Sequence, residues 1–272
     1  MRITDIDKNL IQEGIEKDTN WISAFSMLFS IHGVSYDNME KCFIRMSLET
    51  ANQLSDRIKA LNKYTAGGRI RFKTNSDFVC IKYITTTDGW MAHMPLTGSH
   101  GFSVYENKKF CGKISPSIDL MKASDLVCCE GKVWFLTKGV KDVEIYFPLY
   151  ACVKELFLSF SDGCEILQAD NYANGKIIYY GSSITQGGCA SRPGNDYQSY
   201  IERWTNTDFI NLGFAGNAKG EQEIAEYIVS LSPETVVIDY DHNAPNASYL
   251  AETHYTFYQT IRRGLPNALI VL

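Results

Sequence analysis

Short runs of alternating or apolar β-forming residues follow one another between residues 69 and 160. Turn residues separate these runs, which are RIRFKT, DFVCIKYITT, GFSVYEN, KFCGKISP, KVWFLT, DVEIYFPL and ACVKELFLSF. Strands at such close spacing are typical of an antiparallel β-sandwich or jelly roll. Ahead of them, SLETANQLSDRIKALNKYTAGG places Leu54, Ile58 and Leu61 at helical spacing and ends on two glycines, so we predict one capped helix there.

The pattern changes to a strict alternation of strands and helices after the polar connector SDGCEILQADNYANGK. The apolar runs KIIYY, DFINLGF and TVVIDYD are each followed by a segment of helical periodicity, and NALIVL comes last. This alternation predicts parallel βαβ units. The predicted fold class is a two-domain chain, with an N-terminal antiparallel β-sandwich (jelly-roll-like) and a leading helix over residues 1–170 and an α/β flavodoxin-like domain with a parallel sheet over residues 171–272.

Composition narrows the classes of partner. The 272 residues are 45% hydrophobic, carry a net charge of −5 and contain no long run of Lys or Arg, so no nucleic acid and no anionic membrane is expected. The charged N-terminus MRITDIDKNLIQEG lacks the apolar core of a signal peptide, and WISAFSMLFSI is shorter than the ~20 residues of a membrane span. We predict a soluble, cytoplasmic protein that binds a small molecule.

The eight cysteines are scattered along the chain and form no CxxC pair. Several lie inside strand-like runs, where a cysteine acts as a small apolar side chain. We predict that most are reduced and half-buried, and we predict no metal site, because that would require paired Cys or His at ligand spacing.

Small and amide residues gather where the first three strands of the α/β half end, in GSSITQGG, GFAGNAKG and DHNAP. Ligands of open α/β sheets bind beyond the carboxyl ends of the strands. If the strands lie in the order 2-1-3, these ends are neighbours, and Ser183, Gly216 and Asn243 surround one point.

These three residue types fit the needs of acyl transfer. A serine at a strand-to-helix turn is exposed and lies near backbone N–H groups. A glycine lets its own N–H approach a substrate carbonyl closely, and an asparagine amide supplies a further donor. Together they predict Ser183 as a nucleophile and the other two residues as parts of an oxyanion hole.

Two other interpretations of the glycine-rich strand ends remain open. A glycine–serine turn after a strand is most often only a turn. GFAGNAKG could also hold the phosphates of a nucleotide, but it lacks the GxxxxGK[ST] spacing, and Lys219 precedes a glycine where a Ser or Thr would be needed.

The blocks YGSSITQGGCASRPGNDY, NLGFAGNAKGE and DYDHNAP resemble the first three sequence blocks of the SGNH (GDSL-type) hydrolases. Upstream, AGGRIRFKTNSDFVCIK followed by GFSVYEN is similar to the N-terminal β-sandwich of one branch of that family, in which a GxDLY-like run is typical. The resemblance therefore covers nearly the whole chain.

The resemblance implies a role for each matched residue. Ser183 corresponds to the nucleophile, whose own N–H is one oxyanion donor, while Gly216 and Asn243 correspond to the other two donors. It implies a serine esterase that hydrolyses or transfers an acyl group, for example an acetyl group on a carbohydrate or another small ester. No metal or organic cofactor is expected in this branch.

Three departures from the family pattern bear on activity. Ser182 replaces the usual Asp of GDS, and Asp241 stands where a glycine of GxND is common. The C-terminal DxxH block, which holds the family's catalytic Asp and His, is absent, since the sequence stops at NALIVL after the fourth strand. We therefore expect a truncated member of the family, which without its base retains only a ~1,000- to 10,000-fold advantage over water, far below a complete triad.

None of the five histidines is predicted to replace that base. Strand alternation turns the His242 ring away from the side that Asn243 faces, and His254 lies well inside a helix. The other three, His32, His93 and His100, belong to the sandwich region.

A non-catalytic alternative follows from the missing base. In it, the sandwich binds a glycan or mediates assembly, and Trp90 is a candidate for stacking on a sugar face, although folding back over the sandwich core is the simpler expectation.

The apolar NALIVL strand would form a bare sheet edge, which predicts homo-oligomers through that strand.

Overall fold

The computed structural model describes residues 20–272, so the charged N-terminal stretch lies outside the described residues. Two antiparallel sheets make up most of the first half. One contains β1 (Ile22–Ser23), β6 (Phe78–Thr86), β9 (Leu126–Trp134) and β11 (Val153–Phe160). The other contains β2 (Ser30–His32), β5 (Arg69–Thr74), β7 (Phe102–Glu106), β8 (Lys109–Ile114), β10 (Lys141–Tyr146) and β12 (Ile166–Gln168), and a separate hairpin joins β3 (Ser35–Asp37) to β4 (Cys42–Ile44).

One hydrophobic core lies between the two sheets. Alternate residues of the facing strands enter it, for example Ile70 and Phe72 from β5, Ile81 and Tyr83 from β6, and Val104 from β7. Every one of the seven runs predicted from the β pattern contains a strand, so the antiparallel sheets are confirmed. The short strands β1 to β4 and β12 were not predicted, because two or three residues leave too little periodicity to detect.

The single helix predicted ahead of the sheets is wrong. Two short helices replace it, α1 (Leu48–Ala51) and α2 (Asp56–Asn62). Ser55 caps the second, where its Oγ accepts a hydrogen bond from the Ile58 N–H at 3.3 Å. A good N-cap residue inside a helical pattern can start a new helix instead of continuing the old one. The helices α3 (Leu96–Ser99) and α4 (Ile118–Ala123) are further additions.

The second half is a four-stranded parallel sheet with the order β14-β13-β15-β16, so the predicted 2-1-3 arrangement is confirmed. Its strands are β13 (Asn174–Gly181), β14 (Thr207–Gly213), β15 (Thr235–Asp239) and β16 (Leu269–Val271). The helices are α5 (Ser183–Gln186), α6 (Tyr197–Thr205), α7 (Gln222–Ser230) and α8 (Ala247–Gly264). Exposed Leu269 and Val271 mark β16 as a sheet edge, and association of copies through it stays a prediction.

Arg69 joins the antiparallel half to the parallel sheet. Its fully buried guanidinium donates to Asp208 Oδ1 at 2.6 Å and to the Phe209 carbonyl at 3.2 Å. The guanidinium also lies 3.9 Å from the centre of the Phe209 ring and donates to the Tyr172 hydroxyl at 3.1 Å. A buried, paired and hydrogen-bonded arginine of this kind fixes how the two halves meet.

Arg45 makes a second connection without a carboxylate. Its Nη1 donates to the carbonyls of Asn211 at 3.1 Å and Gly213 at 2.6 Å, and its Nη2 donates to the Leu61 carbonyl at 2.6 Å. Because these acceptors belong to α2 and to the end of β14, the arginine links the leading helices to the carboxyl edge of the parallel sheet.

Near the contact between the two halves, two carboxyl groups lie close to one tyrosine hydroxyl. The Tyr146 hydroxyl lies 2.6 Å from Glu144 Oε2 and 2.5 Å from Glu202 Oε2. One O–H can donate to only one oxygen at a time, so one carboxyl must hold a proton for both contacts to be hydrogen bonds. Burial, together with the nearby Glu144 charge, raises the pKa of Glu202 to about 7.

Replacing this carboxyl gives a prediction about stability. The pKa of Glu202 in the folded state, about 7, exceeds its unfolded value of about 4.3. The protonated carboxyl therefore stabilises the fold at low pH, and this stabilisation is lost as the pH rises towards 7. Glu202→Gln should therefore reduce the loss of stability between pH 5 and pH 8, and should raise the free energy of unfolding at pH 8 by about 1–3 kcal/mol. Urea unfolding at pH 5 and pH 8 measures this, with exposed Glu226→Gln as the control. If the Glu202 variant lost as much stability between pH 5 and pH 8 as the original chain does, a raised pKa of Glu202 would be contradicted.

The cysteines agree in part with the sequence-based prediction. All eight are free thiols, and five of them are buried: Cys42, Cys80, Cys111, Cys129 and Cys152. Cys128 and Cys189 are exposed. Across residues 20–272, no helix combines the length and the apolar character that a membrane span requires.

Candidate active site

Ser183 stands at the turn between β13 and α5. Ser182 precedes it as the N-cap of α5, and its Oγ accepts a hydrogen bond from the Ile184 N–H at 3.2 Å. Capping is thus the local role of the residue that replaces the family's Asp. The first N–H groups of a helix have no partner inside it, and exposed Ser183 occupies the first position. The hydroxyl and the backbone N–H of Ser183 therefore belong to one exposed residue at the start of the helix.

Gly216 lies in the loop after β14. Its φ of +70° belongs to the left-handed region, which favours glycine. The residue is exposed, and a Cβ at this position would meet only open space. The backbone conformation, rather than crowding, therefore explains why glycine is required in this loop.

Asn243 occupies a 3-10 turn (Asp241–Asn243) just after β15. Its Nδ2 donates to the Phe214 carbonyl at 3.2 Å, two residues before Gly216. A side-chain amide has two donor hydrogens, so one of them remains available for a ligand. Asp241, the departure from GxND, is exposed and begins this turn.

Backbone hydrogen bonds connect the three strand ends. The Ser182 N–H donates to the Asp239 carbonyl at 3.0 Å, and the Phe214 N–H donates to the Gly181 carbonyl at 2.9 Å. The end of β13 is thereby joined to the ends of β15 and β14. The structure brings the loops of Ser183, Gly216 and Asn243 to one edge of the sheet, as the sequence predicted.

The antiparallel half also contributes to this edge, which the sequence did not indicate. The Tyr150 hydroxyl donates to the Ser183 carbonyl at 3.3 Å. Gln186 donates through Nε2 to the Leu149 carbonyl at 3.2 Å and accepts through Oε1 from the Ala215 N–H at 3.0 Å. The segment after β10 therefore supports both the serine turn and the loop that carries Gly216.

A second piece of the antiparallel half borders the serine turn. Thr97 in α3 donates to the Ser191 carbonyl at 2.6 Å, and a side chain at Gly98 would collide with the Ala190 carbonyl. Buried His100, just after α3, contacts the Asp88 carbonyl through Nε2 at 2.9 Å. Trp90 follows Asp88 closely and is 45% exposed, so its ring does not fold away over the sandwich core.

The hydroxyl of Ser183 has no side-chain hydrogen-bond partner within residues 20–272. His100 is buried and bound to Ser99 and Asp88, and burial lowers its pKa. His32 lies 3.6 Å from Asp208, at the start of β14 and thus at the opposite end of the sheet. His254 stacks on Tyr240, with the ring centres 5.6 Å apart. Among residues 20–272, therefore, no side chain is hydrogen-bonded to the Ser183 hydroxyl as a general base would be.

The nucleotide alternative is disfavoured by the second loop itself. The Lys219 N–H donates to both Glu221 carboxylate oxygens at 3.1 Å. A phosphate there would have to displace a carboxylate of the same charge. In the part of the chain that is described, no group of three or more His, Cys, Asp or Glu side chains is arranged to hold a metal ion.

Comparison with known families adds to this geometry. Residues 19–166 match the family model "N-terminus of Esterase_SGNH_hydro-type", and residues 174–272 match the "GDSL-like Lipase/Acylhydrolase family". No curated protein sequence matches the chain significantly.

Solved structures give the same relationship. A protein described as a GDSL-like lipase from Bacteroides ovatus is 25% identical, with a TM-score of 0.81 over 93% of this chain and 73% of that one. A salicylyl-acyltransferase from a tetracycline biosynthetic pathway is 18% identical, with a TM-score of 0.74 over 95% and 73%. An acetyl xylan esterase from Butyrivibrio proteoclasticus is 14% identical, with a TM-score of 0.54 over 94% and 78%. Together with the two family matches, the shared fold shows that the chain belongs to the SGNH-type (GDSL-like) esterases.

Proposed function

We propose that the protein is a serine esterase in which Ser183 is the nucleophile. The observation that carries the proposal is the meeting of three loops at the carboxyl edge of the parallel sheet, with an exposed serine on the first of them. Ser183 Oγ attacks the ester carbonyl, the alcohol leaves with a proton, and water releases the acyl group from the serine. Each step passes through a tetrahedral oxyanion.

Three donors are available to that oxyanion. They are the N–H of Ser183 at the start of α5, the N–H of Gly216, and the free hydrogen of the Asn243 amide. Donors that are held in place before the reaction stabilise the developing charge without reorganising. The hydrogen bond from Asn243 to the Phe214 carbonyl provides that fixation.

The substrate class follows from the relatives and from the surroundings of the serine. One structure with this fold is an acetyl xylan esterase and another is an acyltransferase, so acyl esters of carbohydrates or other small alcohols are the proposed substrates. The half-exposed Trp90 ring supplies an apolar face against which a sugar can pack.

The test measures covalent chemistry and turnover separately. With imidazole added as an external base, a fluorophosphonate probe should label Ser183, and the chain should release acetate from p-nitrophenyl acetate and from acetylated xylo-oligosaccharides. Ser183→Ala should lose both signals, while Ser248→Ala, which removes an exposed serine from α8, should keep them. Binding of xylo-oligosaccharides with neither labelling nor release would instead support a non-catalytic glycan-binding protein.

Asn243→Ala tests the oxyanion hole. We expect kcat for Ser183-dependent hydrolysis to fall about 100- to 1,000-fold, because one donor is lost, while KM changes little. Exposed Asn267→Ala serves as the control for removing an amide elsewhere. A loss confined to KM, or a melting temperature lowered in parallel with the activity, would mean that Asn243 only supports the loop.

A further inference from the structure

A second, separate hollow of about 220 Å³ lies between α6 and the hairpin of β7 and β8. Three cations and three aromatic rings line it: Lys108, Arg192, Arg203, Tyr105, Tyr200 and Trp204. Its lining contains no carboxylate and none of the residues assigned to the esterase site. We call it the cationic hollow.

Arg203 brings a buried positive charge to the cationic hollow. The residue is 6% exposed, and within residues 20–272 no carboxylate lies at salt-bridge distance from it. Its Nη2 donates to the Gly194 carbonyl at 2.7 Å, whereas its buried Nη1 has no hydrogen-bond partner. The rings of Tyr105, Tyr146 and Tyr200 lie 4.4, 5.3 and 4.9 Å from the guanidinium carbon and partly stabilise the cation. An anion in the adjacent hollow would add the close counterion that the protein itself does not supply.

Two further donors at the same place lie close to each other but make no hydrogen bond of normal geometry. They are Nε of Arg192 and the hydroxyl of Tyr105, both buried, and Tyr105 is only 3% exposed. The Arg192 guanidinium lies 4.0 Å from the centre of the Phe110 ring, which limits its freedom. Native proteins satisfy most buried donors, so three unsatisfied donors around one hollow indicate an acceptor that is absent from the protein itself. A carboxylate matches arginine donors in both charge and geometry.

An aromatic platform borders the charges. Trp204 is 77% exposed, and its ring centre lies 5.7 Å from that of Tyr200 at an angle of 45°. A tryptophan this exposed, beside a concave cationic surface, is typical of a binding site rather than of a core. The volume of about 220 Å³ is below the ~300–1,000 Å³ of pockets for drug-sized ligands, so one sugar unit is the expected occupant.

We propose that the cationic hollow binds an acidic saccharide. The carboxylate of one uronic acid unit faces Arg192 and Arg203, and the sugar ring packs against Trp204. A neutral sugar would leave Arg203 without a close counterion, and a simple anion would leave the aromatic platform unused. The site is independent of the proposed esterase activity.

Titration calorimetry with three ligands tests the proposal: trigalacturonate, galactotriose of the same linkage, and inorganic phosphate. We expect trigalacturonate to bind about tenfold or more tightly than galactotriose, because only trigalacturonate carries carboxylates that can form charge-assisted hydrogen bonds with the arginines. Arg192→Gln should weaken trigalacturonate binding about tenfold. Trp204→Ala should weaken it ~3- to 10-fold through lost packing. The controls Arg263→Gln and Tyr255→Ala change an exposed cation and an exposed ring on α8 and should bind normally.

Arg192 is chosen for substitution because it is less buried than Arg203, so its loss should leave the fold intact, which a thermal melt checks. Equal binding of trigalacturonate and galactotriose would overturn the proposal. So would trigalacturonate binding that depends on Arg192 but not on Trp204 and is matched by phosphate, since that result describes a simple anion site. An oligoglutamate peptide that binds more tightly than trigalacturonate would also overturn it, in favour of an acidic protein partner.

Discussion

Imidazole is expected to accelerate the hydrolysis of p-nitrophenyl acetate by this chain, and Ser183→Ala should cancel that acceleration. The serine lies at the turn after β13, where backbone donors can hold an oxyanion, but no described side chain accepts the proton of its hydroxyl. A positioned general base is worth about 100- to 10,000-fold in rate, and free imidazole should recover part of that factor. Initial rates at increasing imidazole concentration measure it.

The Ser183→Ala variant also supplies the background of this assay, because imidazole itself hydrolyses the ester. Subtracting the rate of the variant leaves only the serine-dependent part, which should rise with imidazole concentration. Fast Ser183-dependent hydrolysis without imidazole would contradict this account. It would identify one of the chain's own histidines as the base, and His242→Gln and His254→Gln would then be compared.

Arg69→Met is expected to lower the free energy of unfolding by about 3–5 kcal/mol. The substitution keeps the length of the side chain but leaves Asp208 without the guanidinium that lies 2.6 Å away. Asp208 then keeps only the longer contacts to His32 Nδ1 at 3.6 Å and to Lys176 Nζ at 3.7 Å. Breaking a buried pair on one side costs far more than the pair contributes when it is intact. Urea unfolding measures the loss.

Lys73→Met is the matched control for that substitution. Lys73 lies on the same strand, β5, and pairs with the exposed Asp170 at 2.7 Å, so its loss should leave the free energy of unfolding nearly unchanged. The double variant Arg69→Met with Asp208→Asn should recover part of the stability, since the carboxylate that has lost its guanidinium is then gone. If Arg69→Met alone lowered the free energy of unfolding by less than 1 kcal/mol, apolar packing would be the main interaction that holds the two halves together.

The sequence predicted the sheets because their signals are local. Each run such as RIRFKT carries its own period of two, and the carboxyl-edge rule then places Ser183, Gly216 and Asn243 together once the strand order is right. The prediction of a single leading helix was wrong for an equally local reason, since Ser55, the N-cap of the second helix, was not recognised as a helix start. Weighing cap residues against periodicity would have found the break.

Contacts between the two halves could not be predicted in this way. Tyr150 reaches the Ser183 carbonyl across 33 positions of sequence, and Arg69 reaches Asp208 across 139. Neither pair shares a periodic pattern or a motif, so only the packing of the halves brings them together. The cationic hollow has the same origin, because it joins Tyr105 from one half to Arg203 from the other.

Gln186 shows what this joint construction implies for how such an enzyme can change over generations. One amide contacts Leu149 of the antiparallel half and Ala215 of the loop that carries Gly216. A substitution near Leu149 would shift the oxyanion loop through this single side chain, even though it lies far from the reacting atoms in sequence. Selection for a new ester can therefore act on the antiparallel half, while the residues proposed to perform the chemistry remain untouched.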